Sequence, residues 1–154
     1  MKQGFVKVAS ATPRIRVADP VYNAQVICEQ AKEAAEHGAK IVVFPELCIT
    51  GYTCNDLFLQ ELLLEKAKEA LLTIVEETGQ LEALFLVGLP VEKDGRLYNV
   101  AAVLYRGRIL GMIPKKNIPM YAEFYEGRHF TPGEETVTEY RLGKQVIPFG
   151  SNLL

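Results

Sequence analysis

Tryptophan is absent from this chain and cysteine is scarce: Cys28, Cys48 and Cys54, with no CxxC spacing among them. Such usage argues against a disulfide framework and against a zinc cluster. No apolar run approaches the roughly 20 residues that a membrane span needs. The opening Met1-Lys2-Gln3-Gly4-Phe5 has no long apolar core and no cleavage site, so it does not read as a secretory leader. Charge of one sign is nowhere clustered and the formal net charge is only −2, which argues against nucleic acid as a partner. A phosphate-cradling glycine loop, a metal-ligand cluster, an internal repeat and a low-complexity tract are also missing. What remains is 154 residues, about one domain long, in which seven Phe and seven Tyr supply bulk for a globular core. A cytoplasmic protein that contacts neither membrane nor nucleic acid is expected.

Periodicity orders the elements. Phe5–Ala11 alternates loosely and stops near Pro13, which predicts a strand, and Arg14–Pro20 reads as a loop. From Asn23, read as an N-cap, Ala24, Ile27, Cys28, Ala31, Ala34 and Ala35 recur at three-and-four spacing until Gly38 ends the helix. Ile41-Val42-Val43-Phe44 is a short continuous apolar run, suited to a strand buried on both faces. Asp56 opens a second helical pattern, with Leu63, Ala67, Ala70, Leu71, Ile74 and Val75 on one face. Leu84–Leu89 reads as another buried strand. Asp94-Gly95 signals a hairpin before Leu97–Tyr105, and Arg106-Gly107 turns the chain into Arg108–Ile113. Beyond Pro114 the pattern weakens to loop, until a last strand candidate at Val146–Phe149. Helices alternating with strands, followed by a meander, imply an α/β layered fold with a mixed sheet.

The candidate chemistry sits at strand ends. Glu46 directly follows a buried-type strand and Pro45, where open α/β sheets place their ligands. A carboxylate partly desolvated there suits a general base. Lys115 follows Ile113-Pro114 in the same way and could stabilise a developing oxyanion; alternation points only one of Lys115 and Lys116 inward. Glu123 lies in an aromatic-rich loop, and as a buried acid it needs a partner, for which Lys115 is the candidate. His129 reads as a structural hydrogen-bonder, and His37 as a favourable charge at a helix C-terminus. Cys28 falls on the apolar helix face. Cys48 and Cys54 lie near Glu46, but neither has the strand-to-helix turn of an activated nucleophile.

Phe44-Pro45-Glu46-Leu47 followed by Gly51-Tyr52 resembles the glutamate motif of the nitrilase, or carbon–nitrogen hydrolase, superfamily. Pro114-Lys115, Ile118-Pro119 and Glu123-Phe124 resemble its lysine motif. Within that superfamily, Gly4–Ala9, Arg16–Pro20, Pro45–Tyr52, Asn55–Phe58, Ile118–Glu126 and Ile147–Gly150 are similar to the glutaminase part of bacterial glutamine-dependent NAD synthetases. The resemblance spans nearly the whole chain in order.

It implies the first part of an α-β-β-α sandwich, with helices packed on one face of the sheet. It also implies hydrolysis of glutamine through a cysteine thioester. By motif match, Glu46 would be the general base, Lys115 would stabilise the tetrahedral intermediate, and Glu123 would support the site. Tyr52 and Tyr121 would flank the substrate pocket. No cofactor is expected in this chain; ATP and Mg belong to a synthetase domain that it lacks, and deamido-NAD would be reached only through that domain. The nucleophile should lie on a turn beyond the lysine motif, yet residues 116–154 contain no cysteine. Residues 1–154 therefore read as an incomplete, truncated hydrolase domain, inactive alone. Its uncovered sheet would favour a homo-oligomer, which a monodisperse monomer in light scattering would refute. Another amidase of the superfamily, or a non-catalytic assembly fragment, are the alternatives.

Overall fold

A computed structural model describes residues 4–152. Met1–Gln3, the start of the stretch read above as lacking a leader, lie outside the described residues, as does the chain end at Leu153–Leu154. Among the described residues, seven strands and two long helices run in the order β1 (Val8–Ser10), α1 (Pro20–Glu36), β2 (Ile41–Val43), α2 (Glu61–Glu77), β3 (Leu84–Lys93), β4 (Arg96–Tyr105), β5 (Arg108–Pro114), β6 (Thr138–Leu142) and β7 (Gln145–Phe149). They form one mixed sheet in the order β1-β2-β3-β4-β5-β7-β6. The first three strands are parallel, β3-β4-β5 is an antiparallel meander, and β7 returns parallel to β5.

Two successive crossovers that step the same way across a sheet with the same hand put both helices on one face. Accordingly, Ala24, Ile27 and Ala31 of α1 and Ala67, Leu71 and Ile74 of α2 share one core with Val42, Phe85, Val87, Leu89, Val100, Ala102 and Leu104. The hairpins turn where the sequence signals them. Asp94 and Gly95 (φ 51° and 71°), then Arg106 and Gly107 (φ 47° and 71°), take left-handed backbone at both central positions, as twisted two-residue hairpins require.

Three expectations change. Helix α1 begins earlier than Asn23: Asp19 is its N-cap, accepting from Tyr22 N–H at 3.1 Å, and Pro20 supplies a preset φ at the first helical position. Asn23 is instead buried inside the helix. Its amide accepts from the Arg16 N–H and donates to the carbonyls of Arg16 and Ile49, tying the loop before α1 to the turn after β2. Helix α2 starts at Glu61 rather than Asp56, because Tyr52–Leu59 forms kinked 3-10 turns in which Asn55 (φ 49°, ψ −130°) breaks the helical path. And β2 is not buried on both faces: Val43 is 42% exposed, and Val8, which pairs with Ile41 from β1, is 64% exposed. This bare apolar side is the surface that the expected self-association would cover. Strand β6 went unread because Thr138-Glu139-Tyr140-Arg141-Leu142 exposes three of its five residues and carries little apolar signal. Among the described residues, no helix is long and apolar enough to cross a membrane.

Candidate active site

The site forms on the bare face of the sheet, where β2 and β5 end beside the first half of β4. Past β2, Phe44 N–H still pairs with the Leu86 carbonyl at 2.9 Å. The chain then coils tightly over β3, with Leu47 in left-handed backbone (φ 51°), Cys48 N–H on the Pro45 carbonyl and Ile49 N–H on the Gly88 carbonyl. Gly88 is the floor of this coil. A Cβ there would lie 2.5 Å from Leu47 N, 2.7 Å from Pro45 O and 3.0 Å from Glu46 C, so only glycine lets the backbones touch. The coil turns Glu46 into a cleft of about 510 Å³, whose apolar wall includes Val43, Leu86, Ala101 and Ile113.

Lys115 enters from the end of β5, its N–H bonded to the Asn99 carbonyl at 2.7 Å. Its Nζ donates to Glu46 Oε1 at 2.8 Å and to Glu126 Oε1 and Oε2 at 2.9 and 3.0 Å. Burial opposes its charge, but the two carboxylates outweigh that and the Lys115 pKa is raised. Tyr52 OH donates to Glu126 Oε1 at 2.8 Å; burial, then the Glu126 carboxylate, raises its pKa, so the phenol stays protonated and remains a donor. Lys116 points the other way and pairs with Glu135.

The loop that delivers Glu126 is anchored by a second apolar cluster of Leu47, Cys54, Phe58, Leu63 and Phe130. Phe130 N–H bonds back to the Glu126 carbonyl at 2.8 Å, and its ring meets Phe58 edge-on at 5.0 Å. Burying rings of this size is worth about 2 kcal/mol each, enough to hold a polar loop against the sheet. Leu47 and Phe130 thus bring the Glu46 coil and the Glu126 turn together.

The acid that meets Lys115 is therefore Glu126, not Glu123. Glu123 is exposed; it lines a smaller pocket with Tyr52, Tyr125 and Glu126 but makes no bond to the lysine. Two residues separate the two acids, and the short helical turn Glu126–Arg128 rotates the second one inward. Tyr121 stands 68% exposed against Phe124, away from the hydrogen bonds of the site. His129 is nearly buried beside Phe58, its Nε2 3.9 Å from Asp56 Oδ1 and its Nδ1 without a partner. His37 Nδ1 faces the Glu33 carbonyl at 2.8 Å, at the C-terminus of α1.

Asn99, whose side-chain amide donates to Glu46 Oε1, was missed by sequence reasoning. A buried polar residue inside the apolar run of β4 was the available signal.

All three cysteines are buried. Burial pushes the Cys48 thiol up to about 12 and the Cys28 thiol up to about 11, and raises that of Cys54. The Cys48 Sγ–H is directed at the Gly88 carbonyl and that of Cys54 at the Thr50 carbonyl, and neither bonds to Glu46. Thiolate, not thiol, is the nucleophile. At neutral pH, iodoacetamide is expected to leave all three unmodified in the folded chain and to label all three once the chain is unfolded. Rapid labelling of native Cys48, read by mass spectrometry, would contradict this.

Known proteins resemble the chain in sequence and in fold. The carbon–nitrogen hydrolase family pattern covers residues 7–151. The glutamine-dependent NAD(+) synthetase of Mycobacterium tuberculosis is 39% identical over 153 residues, 99% of this chain and 22% of that protein. The structure of a glutamine-dependent NAD(+) synthetase from Cytophaga hutchinsonii superposes with a TM-score of 0.88 at 29% identity, over 94% of this chain and 25% of that one. An amidase from Nesterenkonia shares the fold, with a TM-score of 0.69 at 24% identity, over 93% of this chain and 54% of its own. The chain thus spans about a fifth of the length of the curated synthetases that it matches.

Proposed function

The chain belongs to the carbon–nitrogen hydrolase family, and from that premise we propose that it is the glutamine-hydrolysing part of a glutamine-dependent NAD synthetase. In this reading it helps release ammonia from the side-chain amide of glutamine, for the ATP-dependent amidation of deamido-NAD elsewhere in the protein, in the cytoplasm. The observation that carries it is the 2.8 Å contact between Lys115 and Glu46 at the mouth of an apolar cleft.

Each group has a task. Glu46 takes the nucleophile's proton while the sulfur electron pair attacks the amide carbon, and then returns that proton to the nitrogen as the C–N bond breaks. Lys115, kept charged by two carboxylates, faces the negative charge that develops on the carbonyl oxygen. Glu126 orients Lys115, and Tyr52 fixes Glu126. Glu123 and Tyr121 remain proposed only as groups around the substrate, since neither touches Lys115 or Glu46. The groups assigned here, a carboxylate base and a charged lysine, need neither metal nor nucleotide for their part of the reaction. ATP and Mg are proposed to act in a synthetase part outside these residues.

The buried, protonated thiols of Cys48 and Cys54 make poor nucleophiles, so a cysteine outside residues 1–154 is proposed to supply the thiolate. Ammonia release from glutamine tests this, comparing the 154-residue chain with one continued through the next cysteine-bearing strand. Turnover in the longer form alone is the expected result. Turnover in the 154-residue chain would sink the assignment of the nucleophile. Hydrolysis of simple amides without glutamine would favour another amidase, and silence in both folded forms would favour a non-catalytic role in assembly.

A further inference from the structure

We infer that Asn99 is a positioning residue that decides which oxygen of Glu46 takes the proton. The inference rests on the hydrolase reading above but assigns a role beyond it.

Asn99 sits in β4 between Tyr98 and Val100, only 3% exposed, where an unpaired amide would be costly. Its Nδ2 donates to Glu46 Oε1. The same oxygen accepts from Lys115 Nζ at 2.8 Å. Glu46 Oε1 is thus held by two donors, whereas Oε2 accepts no hydrogen bond from any described residue. A general base needs a free lone pair in a fixed place, and an unrestrained carboxylate would exchange its two oxygens by rotation about its terminal torsion. Two donors on one oxygen stop that rotation and leave Oε2 as the proton acceptor.

The main chain of the same residue completes the device. The Asn99 carbonyl accepts the Lys115 N–H at 2.7 Å, one step along the ladder from the Val100–Pro114 pair. One strand position therefore sets the base with its side chain and the lysine with its backbone. A slip of one residue in the β4–β5 register would turn the Asn99 amide to the helix-covered face and break both contacts. Substituting the side chain, by contrast, leaves the backbone bond to Lys115 intact. The two arms can be separated by experiment.

The test uses whichever form of the protein releases ammonia, with Asn99→Leu to remove the donor at similar volume and Asn99→Ser to keep a shorter one. Asn99→Leu is expected to lower kcat by about 10²-fold, with KM changed by less than about threefold. It should also move the acid limb of the kcat/KM profile to higher pH, because the carboxylate loses a donor to its charged form. Asn99→Ser should fall between. A wild-type kcat and an unmoved acid limb in Asn99→Leu would overturn the inference while leaving the hydrolase reading intact. Absence of amide hydrolysis in the unsubstituted protein would sink that reading and this inference with it.

Should Asn99→Leu not fold, nuclear magnetic resonance on the 154-residue chain decides. The side-chain amide of Asn99 should shift strongly on Glu46→Gln, while those of the exposed Asn117 and Asn152 stay in place. An Asn99 amide indifferent to Glu46→Gln would refute the contact.

Discussion

Lys115→Met is expected to cost about 3 kcal/mol of folding stability, although it removes a side chain that is itself partly exposed. The cost arises in what stays behind. Glu126 has only 5% of its side chain exposed and Glu46 has 42%, and both aim an oxygen at the missing Nζ. A buried charge stripped of its partner is worse than no pair at all, because desolvation is no longer offset. The sharper expectation is therefore the double variant Lys115→Met/Glu126→Gln. It removes the orphaned charge, keeps an acceptor for Tyr52 OH, and should recover most of the loss in urea unfolding. A double variant no more stable than Lys115→Met would mean that packing, not charge, sets the cost.

The linkage sign follows from the raised pKa of Lys115. Its contribution is complete below the ordinary lysine range and fades only as pH rises through the higher folded value. Parent and variant should therefore differ most at neutral pH and converge under strongly alkaline conditions. In the ammonia-releasing form, the same substitution should lower kcat/KM by about 10³-fold, the scale of losing a main oxyanion stabiliser.

Gly88→Ala is expected to be nearly as damaging, from a position that contributes no functional group. The added methyl would meet three backbone atoms of Pro45, Glu46 and Leu47 at 2.5–3.0 Å, and none of them belongs to a side chain that could swing aside. Either β3 or the coil over it must move, at about 2–3 kcal/mol. Because the coil carries Glu46, activity should fall along with stability. Gly95→Asn is the control: Gly95 has open space around it, and its left-handed φ of 71° is one that asparagine tolerates. Equal unfolding midpoints for Gly88→Ala and the parent would show that the coil is pliable and that Gly88 is not its template.

Much of this was legible in the linear chain. The three-and-four apolar spacing from Ala24 to Ala31 and from Leu63 to Val75 set both helices, because the face that meets the sheet must be continuous. Asp94-Gly95 and Arg106-Gly107 marked the meander through their backbone preferences alone. Glu46 and Lys115 stood out because each follows a strand and a proline within a motif of a known family, and the bare strand ends come together in the cleft.

The sequence by itself determined most of the elements, their order and three of the groups that meet around Lys115 (Glu46, Tyr52 and Lys115 itself), since periodicity, turn chemistry and short motifs act within a dozen residues. Only the tertiary structure decided that Lys115 meets Glu126 rather than Glu123, because the single short turn that begins at Glu126 sets which acid faces inward. It alone showed that Asn99 reaches Glu46 across 53 positions and that Gly88 must be bare to pass the coil. It also decided that one face of β2 stays uncovered. Contacts at such separation depend on sheet register and on which loops a small apolar cluster pins together, and neither quantity is written in any local stretch of the chain.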